Sequence, residues 1–148
     1  EHVLWRLENG NIDAISPKLA VLMIGTNNHM SSPPKVTARD IRLIVKQLRT
    51  KLPKTKVLVL AVFPRGGGDD DGARRINMTV NELIADLGDG KMVYHLNINE
   101  AFLDGRRLRH NLIPDGTHPN EKGYAAWAEA MEPTLAKLLG EEPIIPGD

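Results

Sequence analysis

The sequence contains no cysteine, which excludes disulfide bonds, thiolate nucleophiles and thiolate metal ligands from these 148 residues. It carries no net charge either, because nineteen basic residues balance nineteen acidic ones, so no global field attracts nucleic acid or an anionic membrane. No run approaches the roughly eighteen apolar residues that a membrane-spanning helix requires. We therefore expect neither a nucleic-acid partner nor a membrane span, and small neutral or amphiphilic ligands fit the composition best.

Composition and length indicate one globular domain. With 41% hydrophobic and 26% charged residues, the chain is ordinary globular material and is long enough to bury a single core. We expect the domain to span residues 1–140 and a short tail to occupy residues 141–148. The chain begins with Glu1 rather than Met and opens on a helix-like stretch, so we expect the natural N-terminus to lie upstream.

Strand and helix patterns alternate along the chain. Apolar runs predict three strands, at residues 19–24, 56–63 and 92–96. The first two runs are typical of strands buried on both faces, and we expect the first to be a central strand of a parallel sheet. Apolar residues at three- and four-residue steps predict three amphipathic helices, at residues 36–52, 76–87 and 121–139. This order predicts an α/β fold with a mostly parallel sheet.

Functional sites of such sheets lie at the carboxyl ends of the strands. That rule selects three loops, at residues 25–29, 64–72 and 97–120. The third loop ends in Asp115 and His118, three positions apart on a Gly/Pro turn before the last helix, for which Asn120 is a candidate N-cap. An Asp that accepts a hydrogen bond from one imidazole nitrogen fixes the tautomer of the ring, and the other nitrogen is then free to take a proton from a nucleophile.

Two short blocks together resemble the SGNH (GDSL) hydrolases: Gly25-Thr26-Asn27-Asn28 after a buried strand, and Asp115-Gly116-Thr117-His118-Pro119-Asn120 before the last helix. The stretches 3–10, 21–29 and 64–66 are most similar to the platelet-activating factor acetylhydrolase catalytic-subunit branch, and residues 114–135 to bacterial acyl esterases of the same superfamily. The resemblance implies a three-layer α/β/α, flavodoxin-like SGNH hydrolase fold. It also implies that His118 is a general base, that Asp115 orients it, and that the Asn27 amide donates to an oxyanion hole.

The family's nucleophile is the Ser of an N-terminal Gly-Asp-Ser block, which this sequence does not contain. Its serines, Ser16, Ser31 and Ser32, do not lie in such a block. The resemblance therefore implies that the first strand is missing and that the Ser comes from a segment upstream of residue 1, in the same polypeptide or in a separate chain. The function implied is carboxylic-ester hydrolysis, as an acetyl esterase acting on an acetylated carbohydrate or lipid without a cofactor. Related subunits pair as dimers, so a homodimer is a further expectation.

Two other functions stay open at this point. One is a catalytically inactive relative that binds a ligand or a carbohydrate, and the other is an unrelated flavodoxin-like binder of nucleotides or phosphate. The Gly-rich acidic segment 66–72 lacks the Lys-Ser/Thr of a P-loop and the closing Glu of a calcium loop, so we interpret it as a flexible polar loop.

Four other side chains are candidates for site roles. Arg65, at the carboxyl end of a predicted strand, is a candidate to face the substrate. His29, His95 and His110 lie on different segments without metal-ligand spacing to Asp115, so we predict no metal ion.

Overall fold

A computed structural model of the chain describes residues 2–68 and 70–144. Four α-helices occur there: α1 His2–Glu8, α2 Pro34–Lys51, α3 Gly72–Ile84 and α4 Glu121–Leu139. The strands are β1 Leu19–Leu22, β2 Lys56–Leu60, β3 Val93–Leu96, β4 Leu103–Asp104 and β5 Arg107–Leu108. Short 3-10 helices lie at Asn28–Met30, Ala85–Leu87 and Asn99–Phe102. The predicted order of strands and helices is confirmed.

The first three strands form a parallel sheet in the order β1-β2-β3. Because successive side chains of a strand point to opposite faces, β2 contributes to two separate cores. Val57 and Val59 pack with α1, α2 and α3, whereas Leu58 and Leu60 pack with α4 and the segment that carries β4 and β5. The protein is therefore a three-layer α/β/α structure, as predicted.

The prediction that the first strand is a central one, buried on both faces, is wrong for the described residues. β1 pairs only with β2 and forms an edge of the sheet, and Val21 of this strand is 43% exposed. An apolar run shows that a strand is suited to burial but not which element covers it. The expected strand at 56–63 is regular only to Leu60, although the three residues that follow are fully buried.

The long loop over residues 97–120 contains structure that the sequence did not predict. β4 and β5 pair as a small antiparallel hairpin, with Leu103 opposite Leu108. Strands of two residues are too short to produce an alternating pattern, so periodicity gave no signal. The hairpin segment places Phe102 and Leu108 in the core beneath α4 and so anchors the long loop to the sheet.

The last helix has the predicted bounds and the predicted cap. Asn120 Oδ1 accepts a hydrogen bond from Gly123 N at 3.0 Å, which satisfies a free N–H of the first turn. Gly140, in the left-handed conformation, ends the helix. Residues 145–148 of the predicted tail lie outside the described residues. No helix in ranges 2–68 and 70–144 is long and apolar enough to cross a membrane.

The turn before β3 depends on one carboxylate. Asp89 Oδ1 accepts hydrogen bonds from the backbone N–H groups of Val93, Lys91 and Met92, each at 2.8 Å. These bonds stabilise the charged form and lower the pKa of Asp89 to about 2, from 3.8 for the free group. Because the pKa is lower in the folded state, the stabilisation is present above pH 3.8 and is lost as the pH falls towards 2.

We therefore predict a pH-dependent effect of the substitution Asp89→Asn. The native protein should have the larger free energy of unfolding near neutral pH, because Asn is a weaker acceptor for three backbone donors. The difference between the two proteins should shrink as the pH falls from about 4 towards 2. Urea denaturation across this range measures it, and a difference that does not change with pH would contradict the assignment.

Candidate active site

The turn at residues 115–118, called the DGTH turn below, is organised by the Asp115 carboxylate. Its Oδ1 accepts hydrogen bonds from the backbone N–H groups of His118 at 2.7 Å and Thr117 at 2.9 Å. Its Oδ2 accepts from the His118 ring nitrogen Nδ1 at 2.7 Å. Gly116 makes this tight turn possible because its φ of 76° lies in the left-handed region. Sequence reasoning paired these two side chains, and the structure brings them together.

These contacts set the charge of the carboxylate. The backbone N–H of His118, then its ring N–H, then the backbone N–H of Thr117 hold the pKa of Asp115 well below its usual range. Asp115 therefore remains an anion at every pH at which a histidine titrates.

The same contact fixes the tautomer of the His118 ring. An ionised carboxylate is an acceptor only, so Nδ1 carries the proton in the neutral ring and Nε2 has a free lone pair. The side chains of His118 and Asp115 are 76% and 57% exposed. The arrangement can accept a proton at Nε2, and the carboxylate can stabilise the imidazolium that results.

The loop at residues 25–29, called the Asn27 loop below, follows β1 and carries the second candidate group. Gly25 begins it with a φ of 118°, and a Cβ there would lie 3.1 Å from the Thr37 methyl group, so the position favours glycine. Asn28 N then donates to Gly25 O at 3.0 Å, which closes a turn with Asn27 exposed near its apex. The side chain of Asn27 does not cap the 3-10 helix that follows.

Arg65 connects the Asn27 loop to the DGTH turn. Its Nη1 donates to Thr26 O at 2.8 Å and to Asn27 Oδ1 at 3.1 Å, and its Nη2 donates to Thr117 Oγ1 at 3.1 Å. The backbone adds a second link, because Gly66 N donates to Gly116 O at 3.0 Å. The sequence pointed to Arg65 only as a side chain that faces the substrate, and did not predict these contacts with other loops.

Two further side chains, Asn77 and His29, contact Thr26 of the Asn27 loop. Asn77 of α3, which is 2% exposed, donates to Thr26 Oγ1 at 3.3 Å. The His29 ring nitrogen Nδ1 lies 2.8 Å from Thr26 O, which can only accept, and 3.3 Å from Arg65 Nη1, which can only donate; the shorter contact assigns the proton to Nδ1. His29 is therefore used within its own loop. Across the described ranges, no three histidine, aspartate or glutamate side chains are grouped so that they could hold a metal ion.

No serine of the described residues pairs with the imidazole. Ser16, Ser31 and Ser32 are not hydrogen-bonded to His118, whose side-chain contact in this part of the chain is with Asp115. The chain thus brings together a candidate base, its orienting carboxylate and, through Arg65, the Asn27 loop, without a nucleophile in contact.

A groove of about 620 Å³ lies between α3 and the end of β3, and its walls include neither residue of the Asp115–His118 pair. Asn77, His95 and Asn99 line it, and each has one polar atom without a hydrogen-bond partner among the described residues. Those atoms are almost fully shielded from solvent, so a molecule in the groove does not reach them unless side chains move. Burial lowers the pKa of His95 and favours its neutral ring.

The chain is similar in sequence to one protein family over most of its length. A family model described as GDSL-like lipase/acylhydrolase matches residues 1–126. The chain is 35% identical over 145 residues to platelet-activating factor acetylhydrolase IB subunit alpha1 of Homo sapiens. That alignment covers 96% of this chain and 62% of the human protein, so the chain spans less than two thirds of this relative.

Solved structures show the same fold. A GDSL-like lipase from Bacteroides thetaiotaomicron matches with a TM-score of 0.72 at 20% identity, over 90% of this chain and 69% of that one. A carbohydrate acetylesterase from Sinorhizobium meliloti matches with a TM-score of 0.70 at 20% identity, over 91% of this chain and 67% of that one. The three-layer α/β/α SGNH hydrolase fold implied by the sequence blocks is confirmed.

The tautomer of His118 can be tested without any assay of activity. We predict that ¹⁵N NMR of the neutral ring places the proton on Nδ1, because Asp115 accepts it. In Asp115→Ala the Nε2–H tautomer should become populated. His110, which makes no side-chain hydrogen bond in the described residues, should not respond and serves as the reference. An unchanged His118 tautomer in the variant would contradict the pairing in solution.

Proposed function

We propose, since this chain belongs to the GDSL-like lipase/acylhydrolase family, that it supplies three groups of a carboxylic-ester hydrolase. His118 is the general base, Asp115 holds it in the reactive tautomer, and the Asn27 amide is one donor of the oxyanion hole. The observation that carries the proposal is the 2.7 Å contact of Asp115 with His118 Nδ1, which leaves Nε2 free on an exposed ring. Family membership rules out the unrelated nucleotide or phosphate binder.

The roles follow from the chemistry of acyl transfer. His118 Nε2 takes the proton of a serine hydroxyl while the serine oxygen bonds to the ester carbonyl carbon. The carbonyl oxygen becomes an anion, and Asn27 Nδ2 donates a hydrogen bond to it. When the bond to the alcohol breaks, the imidazolium returns its proton to the leaving oxygen. A water molecule then repeats the same steps on the acyl-enzyme and releases the acid.

The serine comes from a segment that precedes residue 1. Three observations support this part of the proposal: no serine of the described residues contacts His118, the imidazole is exposed, and the chain spans 62% of the human relative. The exposed edge of β1 is a place where a further parallel strand can pair. This chain alone should therefore not turn over esters.

The substrate we propose is an acetyl ester of a carbohydrate or a lipid. Two similar proteins support this proposal: one relative is described as a platelet-activating factor acetylhydrolase subunit, and one structural neighbour as a carbohydrate acetylesterase. The balanced charge of the chain agrees with a neutral or amphiphilic substrate. A homodimer, or a separate chain that carries the serine, is compatible with the open edge of β1.

We predict that His118→Ala in the complete protein lowers kcat for p-nitrophenyl acetate by about 10⁴-fold or more. The loss follows because no other group would accept the serine proton. His110→Ala removes another exposed imidazole and should leave kcat unchanged, which makes it the matched control. If His118→Ala retained near-native activity, the assignment of the base would be wrong.

The oxyanion role separates two adjacent asparagines. Asn27→Ala should lower kcat by about 10²–10³-fold with little effect on KM, because the hydrogen bond strengthens only as charge develops. Asn28→Ala should have less than a tenfold effect. Steady-state kinetics on the same acetyl ester measures both variants. If Asn28→Ala carried the larger loss, the donor would be Asn28 instead.

A further inference from the structure

The Arg65 guanidinium donates hydrogen bonds to two separate loops. Its side chain is partly buried, and its Nη atoms donate to Thr26 O, Asn27 Oδ1 and Thr117 Oγ1, with Thr26 Oγ1 at 3.5 Å and the His29 ring nitrogen Nδ1 at 3.3 Å from Nη1. No carboxylate pairs with it anywhere in residues 2–68 and 70–144. The positive charge is therefore directed at neutral acceptors of two separate loops.

The contact with Asn27 determines which way round the carboxamide lies. A guanidinium has only donors, so the Asn27 atom at 3.1 Å from Nη1 is the oxygen and not the nitrogen. An amide whose oxygen is fixed on one side presents its NH₂ group on the other. Asn27 Nδ2 has no hydrogen-bond partner in the described part of the chain, so it is free to donate.

The alternative amide orientation would oppose catalysis. If the side chain rotated by half a turn, Oδ1 would face the position of the developing oxyanion, and two negative oxygens would repel each other. Without such a contact, the two amide orientations of an asparagine on an exposed loop have similar free energies. A charged donor fixed at 3.1 Å removes that freedom before the substrate arrives, which is the preorganisation that oxyanion holes depend on.

The other branch of the guanidinium ties this orientation to the base. Nη2 donates to Thr117 Oγ1 at 3.1 Å, and Thr117 lies between the two residues of the Asp115–His118 pair. Arg65 lies 38 positions after Asn27 and 52 positions before Thr117, so no local turn sets the distances between these side chains. The planar fork therefore holds the two loops at a fixed separation.

We propose that Arg65 is a positioning residue which fixes the Asn27 amide for oxyanion binding and sets its distance from the DGTH turn. This inference rests on the proposed function, because it assigns the orientation of a donor that the reaction uses. Arg65 touches neither His118 nor the reacting atoms, and acts through Asn27 and Thr117.

A double-mutant cycle in the complete protein tests the inference. Arg65→Met removes the donors and retains the aliphatic stem, and it should lower kcat for p-nitrophenyl acetate by about 10²-fold with little change in KM, close to the loss of one oxyanion donor. Asn27→Ala should cost about 10²–10³-fold in the native background but less than tenfold in the Arg65→Met background. A full loss from Asn27→Ala in both backgrounds would overturn the proposal.

Two further variants separate positioning from other effects. Arg65→Lys retains the charge, but its single nitrogen cannot bridge Asn27 and Thr117, so it should behave like Arg65→Met. Near-native kcat in Arg65→Lys would show that charge alone matters, and would contradict the proposal that the two Nη atoms must bridge Asn27 and Thr117. Arg75→Met places the same substitution on an exposed arginine of α3 and should change neither kcat nor thermal stability.

A failure of the proposed function can be distinguished from a failure of this inference. If the native complete protein hydrolyses no ester, the proposed function is lost, and NMR of the Asn27 side-chain amide decides the role of Arg65 alone. The order parameter of the Asn27 NH₂ group should fall in Arg65→Met and not in Arg75→Met. An unchanged order parameter in Arg65→Met would overturn the positioning role.

Discussion

The structure depends on the burial of β2 between two layers of helices. Val57, Leu58, Val59 and Leu60 are each at most 1% exposed, and burial of such side chains stabilises a fold by about 1.5–3 kcal/mol each. Alternate residues of this strand join different cores, so β2 contacts both layers of helices. Beyond the carboxyl end of the strand, the chain stays buried through Phe63 and then reaches Arg65. The position of the candidate site is in this sense a consequence of the core.

Beyond the core, the candidate site consists of two loops and one connecting side chain. The geometry of the DGTH turn is determined locally. The Asp115 carboxylate accepts hydrogen bonds from two backbone N–H groups of its own turn and from the ring N–H of His118, so it needs no distant partner. The Asn27 loop is determined by its glycine, by contacts from α3 and by Arg65. The proposed proton transfer therefore relies on local geometry, whereas the proposed oxyanion donor relies on tertiary contacts.

This difference explains how much the sequence could predict. Strands, helices and their order follow from periodicity, and the pairing of Asp115 with His118 follows from a short spacing on a turn. Periodicity alone did not predict the edge position of β1, because an apolar run does not identify the neighbours of a strand. The contacts of Arg65 were not predictable either, because they join residues 38 and 52 positions apart and depend on which strands are adjacent. The β4–β5 hairpin was too short to leave a pattern.

The central claim is that the base, its orienting carboxylate and one oxyanion donor lie in this chain while the nucleophile precedes it. Labelling of the complete protein with a fluorophosphonate, followed by peptide mapping with mass spectrometry, tests this claim most directly. The account predicts a single labelled serine located before residue 1, and loss of that label in His118→Ala. A label on Ser16, Ser31 or Ser32, or ester hydrolysis by a protein that takes no label, would contradict it.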